Sequence, residues 1–271
     1  MGVNVSFSQP CSDHDKETRK RKMSITADRI IAISTGKTIY KDGDSVIKVF
    51  CRPYTKLDVM KEAYNQALLE AAALSVPRVQ EVFSADGGWA IRYEYARGKA
   101  LSQLMEAAPA KAGEYMAQLV EIQRTIAAAD APLLPRLVDK LKRAILTGIQ
   151  DTERRTELCA ALDSMPDGRS TCRGALLPRD IIVNESGYCV LNWANAAHGN
   201  SFFDVADTYV QLMLEDDERL PLSALYIDTF CADDAELERT VRQFVPICAA
   251  ARMGSANERE RGILNRLMQK K

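Results

Sequence analysis

Residues 172–193, CRGALLPRDIIVNESGYCVLNW, decide how the rest of this 271-residue chain is read. The segment runs as a loop with a proline at 178, then two short apolar runs separated by the turn residues Asn184 to Gly187, and it ends in Leu191, Asn192 and Trp193. Three positions in it are pointed: Ala175, Asp180 five residues later, and Asn192 at the end of the second run. Position 175 carries only a methyl.

Outward from that segment the pattern is mostly helical. Upstream, Met165-Pro166-Asp167-Gly168 is a clear turn. Before it, apolar spacing near 3.6 predicts helices over 102–105, 112–128, 137–149 and 153–162, with Pro132 and Pro135 punctuating the connection. Downstream comes AHGNSFFDVADTYVQLML, residues 197–214, and further helices are predicted over 222–269. Glu215, Asp216 and Asp217 form an acidic patch that reads as a solvated helix end.

The first hundred residues differ. IIAIS, TGKTIY and VIKVF are short apolar runs separated by turns, with Asp42-Gly43-Asp44 as one of them, which is a β-meander signature. KEAYNQALLEAAAL predicts a helix between Leu57 and Leu74, ended by Val76-Pro77. PRVQEVFSADGGWAIRYEYARGKAL predicts two more strands joined at Asp86-Gly87-Gly88. Gly36-Lys37-Thr38 has the tail of a phosphate-binding P-loop, but Ile31 stands where that motif needs its first glycine, so the P-loop is rejected.

Composition removes several function classes. Lys and Arg total 36 against 37 Asp and Glu, a formal charge of −1, and nucleic-acid binding needs a concentrated basic face instead. No apolar run approaches the roughly 18–20 residues of a membrane span, and the start lacks a secretory apolar core. The seven cysteines are scattered without C-x-x-C spacing, so neither a disulfide framework nor a zinc site is expected. Reduced thiols in a cytoplasm fit best. Residues 1–24 are polar and end in KETRKRK, which predicts a disordered arm. Met-Gly-Val-Asn-Val-Ser matches the N-myristoylation pattern, yet a chance match on a leader is the expectation, without an acyl anchor.

The central segment resembles the aminoglycoside phosphotransferase and choline-kinase-like family of small-molecule kinases, whose loop reads His-Gly-Asp-x-His-Pro-x-Asn and whose strand end reads Ile-Asp-Trp. Gly174, Pro178 and Trp193 are kept, while Arg173, Ala175, Leu177, Asp180 and Asn192 depart from the pattern. Gly199-Asn200 and Asp204 match a further family stretch, with Asp204 expected to brace the loop. The resemblance spans about 25–214 in consistent order. It implies a two-lobed α+β protein kinase-like fold: an arm over 1–24, an N-lobe over 25–97 with a five-stranded antiparallel sheet and one helix, and a helical C-lobe over 98–271.

The resemblance also assigns roles. Lys48, on the strand VIKVF, becomes the phosphate-pairing lysine, with Glu62 as its helix partner. Glu94 to Gly98 becomes the hinge that holds adenine through backbone groups, so Glu94 and Tyr95 join the nucleotide-binding set. Ala175 stands where the base Asp is lost, and general-base help is worth ~10²–10⁴ in rate. Asp180 and Asn192 reverse the family's Asn and Asp, which keeps the summed charge and implies a swapped, weakened Mg²⁺ site. Arg173 either pairs a phosphate or holds Asp204 or Asp180 internally, the internal pair being expected.

Two functions follow from the resemblance. One is a pseudokinase that retains nucleotide binding, ATP or another nucleoside triphosphate, and acts by binding a protein or small-molecule partner. The other is a weak or atypical ATP-dependent phosphotransferase acting on a small hydroxylated or amino compound. Transfer of the nucleotide itself is a third reading that nothing in the sequence selects.

Overall fold

The computed structural model describes residues 3–4, 26–27, 29–34, 36–85, 88–216 and 221–269. The expectations for the polar arm, its basic cluster and the acylation motif lie outside these residues apart from Val3–Asn4, as do the tip Asp86-Gly87 and Asp217. A first compact unit ends at Arg97 and a second begins at Gly98, with Ala71–Leu74 counted in the second.

In the first unit a two-residue pair, β1 (Val3–Asn4) with β2 (Thr26–Ala27), precedes an antiparallel sheet. That sheet is built from β3 (Arg29–Ser34), β4 (Lys37–Asp42), β5 (Ser45–Phe50), β6 (Val79–Ala85) and β7 (Gly88–Glu94), in the order β3-β4-β5-β7-β6. The strands form where the sequence places short β-branched and aromatic runs between turn residues. Alternation along β5 then sorts its side chains between two faces. Ile47 and Val49 pack with Tyr40, Ala85 and Ala90. Phe50 packs on the other face with Ile91, Tyr93 and the helix residues Val59 and Ala63. Lys48 shares the parity of Phe50, so it faces the helix side.

That helix, α1 (Lys56–Ala71), starts with a reciprocal cap: the Thr55 N–H donates to the Asp58 carboxylate at 2.8 Å and the Asp58 N–H donates to Thr55 Oγ1 at 3.3 Å. It ends three residues before the predicted Leu74, and Ala73 takes the left-handed backbone (φ +57°) that breaks a helix ahead of Pro77.

The second unit is helical, with α2 (Leu101–Ala107), α3 (Ala112–Ala128), α4 (Leu137–Gly148), α5 (Thr152–Ser164), α6 (Ser201–Glu215), α7 (Leu222–Cys231), α8 (Ala235–Arg252) and α9 (Glu258–Gln269). Two small sheets interrupt the helices. One pairs β9 (Ser170–Cys172) with β12 (Ala197–Gly199); the other orders β11 (Gly187–Val190), β10 (Ile181–Asn184) and β8 (Lys99–Ala100). Gly98, at φ +142°, leads into β8 where an added Cβ would lie 2.3 Å from the Val183 carbonyl oxygen, so the pairing of β8 with β10 needs glycine there. Among the described residues Cys51, Cys159, Cys172, Cys231 and Cys248 are free thiols, and no helix is long and apolar enough to cross a membrane.

Candidate functional site

Strand parity and helix phase bring Lys48 and Glu62 together in the first unit. Lys48 Nζ donates to Glu62 Oε1 at 2.6 Å, with side chains only 9% and 6% exposed. Tyr93 Oη adds a hydrogen bond to the same carboxylate oxygen at 3.2 Å. Burial holds the Lys48 ammonium below its usual range, opposed by the Glu62 charge. A second lysine joins them: Lys37 Nζ lies 3.8 Å from Glu62 Oε2 and 4.5 Å from the centre of the Tyr54 ring. Two ammonium groups therefore share one carboxylate.

Glu94 and Tyr95 follow in the same unit. Their backbone N–H groups are already spent, Glu94 on the Arg78 carbonyl at 2.9 Å and Tyr95 on the Asp44 carbonyl at 3.0 Å. A base recognised here by backbone groups would have to use other atoms than these two N–H groups.

In the second unit the β10–β11 hairpin returns the chain to its own start, and the Leu191 N–H donates to the Asp180 carbonyl at 2.7 Å. Residues 175, 180 and 192 thus belong to one structural knot, and Arg173 sits at its centre. Its Nη2 pairs with Asp180 Oδ2 at 2.8 Å, with side chains 4% and 12% exposed. Its Nε and Nη2 donate to the Leu191 carbonyl at 3.3 and 3.0 Å, and Nη1 donates to the Ala175 carbonyl. Burial lowers the Arg173 pKa and raises that of Asp180, each opposed by the other's charge. Ala175 is buried in left-handed backbone (φ +66°), whereas Asn192, also left-handed (φ +65°), is exposed.

Beneath the loop lies a polar network. The Gly174 N–H donates to Asp204 Oδ1 at 2.5 Å, Gln123 Nε2 donates to Asp204 Oδ2 at 3.3 Å, and Tyr226 Oη donates to Gln123 Oε1 at 2.5 Å. Thr208 Oγ1 receives the Leu176 N–H at 2.9 Å and donates to the Asp204 carbonyl at 2.9 Å. Complete burial raises the Asp204 carboxyl to about 6 against the Gly174 and Gln123 hydrogen bonds that favour its charge. Asp204 braces the loop from below.

Solved structures with this arrangement of elements identify it. A thermostable mutant of aminoglycoside phosphotransferase APH(4)-Ia, in ternary complex with AMP-PNP and hygromycin B, superposes with a TM-score of 0.66 at 15% identity, over 88% of this chain and 90% of that one. The fold is that of the aminoglycoside phosphotransferases and choline kinases. A choline/ethanolamine kinase family protein from Mesorhizobium loti gives this kinase-like fold a TM-score of 0.58 at 13% identity, covering 87% and 86% of the two chains. Choline kinase LicA from Streptococcus pneumoniae gives 0.53 at 13% identity, covering 88% and 90%. No protein-family model matches the chain, and no curated protein sequence matches it significantly.

The kinase-like fold implies Mg²⁺, and the residues present do not fit it. Such an ion needs open oxygen ligands in near-octahedral array, but the Asp180 carboxylate is held by a guanidinium. Of the two residues expected as ligands, Asp180 forms an internal ion pair with Arg173 through Oδ2, and Asn192 is exposed. Sequence reading also missed Lys37 as a partner of Glu62, because strand register alone places it there. Gln123, Thr208 and Tyr226 were missed too; Gln123 and Asp204 lie 81 residues apart, and no local motif marks them.

Proposed function

We propose that this chain is a pseudokinase of the aminoglycoside phosphotransferase-like type, which keeps nucleotide binding on Lys48 and Glu62 and acts by binding a partner or small ligand. The observation that carries the reading is the state of the loop carboxylates. Position 175 offers a methyl, and the one acidic side chain of the loop, Asp180, is neutralised by Arg173. Neither supports orienting an acceptor hydroxyl. Phosphoryl transfer rests mainly on positioning and charge stabilisation, and the first unit retains ingredients for phosphate contact while the loop of the second has only Asp180, paired with Arg173.

The similar structure of APH(4)-Ia holds AMP-PNP and hygromycin B, which makes ATP analogues the first ligands to try and hydroxylated or amino compounds the second. The test is calorimetric ATP binding on the full chain together with a γ-phosphate transfer screen. Binding without turnover is expected. Turnover in the unaltered chain that disappears in Asp180→Asn would favour the phosphotransferase reading instead.

A further inference from the structure

We infer that Arg173 stands in the place of the divalent cation in this loop, so that the chain takes its phosphate ligand in metal-free form. The identity of that ligand as a nucleotide rests on the function proposed above; the arginine assignment rests on the loop alone.

Three observations converge on it. First, the guanidinium uses its donors on the Asp180 carboxylate and on the carbonyls of Ala175 and Leu191, joining the loop to the strand end as a bridging cation would. Its planar fork suits several oxygens at once. Second, Asp180 Oδ2 is already held by the guanidinium, and among the described residues no fully buried side-chain nitrogen or oxygen lacks a hydrogen-bond partner. A doubly charged ion beside a fixed guanidinium would be repelled and would have to displace it. Third, the first unit holds the opposite imbalance. Lys37 and Lys48 share Glu62, leaving one positive charge over. A phosphate chain without its metal is more anionic than its magnesium complex, and the single ammonium charge left over suits that form.

The experiment uses the full chain and two probes. Mn²⁺ alone is titrated and followed by the loss of its free-ion electron paramagnetic resonance signal. ATP binding is measured by calorimetry in EDTA and again in excess Mg²⁺. No stoichiometric Mn²⁺ site is expected, and ATP should bind as well or better in EDTA. Arg173→His should gain a Mn²⁺ site by releasing Asp180, and the wild-type titration decides the point even if that variant does not fold. A stoichiometric Mn²⁺ site in the unaltered chain that is lost in Asp180→Asn would overturn the inference, as would Mg²⁺ tightening ATP binding by about tenfold or more. Failure of ATP to bind in either buffer would sink the nucleotide reading, while the manganese result would still judge Arg173 by itself.

Discussion

Two buried cation–carboxylate pairs, one in each unit, look alike and behave differently. Lys48–Glu62 closes at 2.6 Å and Arg173–Asp180 at 2.8 Å. The lysine is a compact point charge whose carboxylate is shared with Lys37 and Tyr93, so the cluster carries an excess positive charge. The arginine is a fork whose donors are spent on a carboxylate and two carbonyls, so that cluster is neutral and complete. One buried pair is thus left with unequal charges, and in the other the charges cancel.

The sharpest break in that comparison comes from Arg173→Leu. It leaves Asp180 charged and alone, and should cost about 3–5 kcal/mol in urea unfolding, whereas Arg173→Leu with Asp180→Leu should recover most of the loss. A double variant as unstable as the single one would mean that Arg173 acts chiefly through the two carbonyls.

Next in size is a pH effect beneath the same loop. The folded Asp204 carboxyl lies near 6 against an ordinary 3.8, so the folded state binds its proton more tightly than the unfolded state. The resulting stabilisation is fully present below about pH 4 and is lost as pH rises through about 6. Relative to Asp204→Asn, the unaltered chain should lose on the order of 2–3 kcal/mol across that window, from about 1.4 kcal/mol per pH unit. A flat difference would show that the network pays no cost for the charge.

Lys48→Met should be milder than its counterpart in the second unit, about 1–3 kcal/mol, because Glu62 keeps Lys37 and Tyr93. Its main effect should be on nucleotide affinity by calorimetry. Lys37→Met is expected to change stability least and to weaken ATP binding about fivefold, roughly 1 kcal/mol. Unchanged affinity would remove the excess-charge account of the first unit.

The fold was legible because its cues are local and ordered. Short apolar runs between turns mark the sheet, 3.6-residue spacing marks the helices, and Gly174, Pro178 and Trp193 sit in sequence around the loop. The geometry of the site was only half legible. The spacing from Lys48 to Glu62 was visible, but which carboxylate Arg173 would take depended on how the β10–β11 hairpin returns, and Asp180 and Asp204 were equal on paper. Lys37 was weighed only as part of a P-loop. Its approach to Glu62 follows from β4 pairing with β5 so that Lys37 stands opposite Phe50, a fact of register rather than of motif.

Ala175 keeps left-handed backbone although alanine gains nothing from it. Asp and Asn tolerate that conformation better than most residues, so the chain holds the main-chain shape of a residue it does not have. A single substitution, Ala175→Asp, would place a carboxylate at this position without redrawing the backbone.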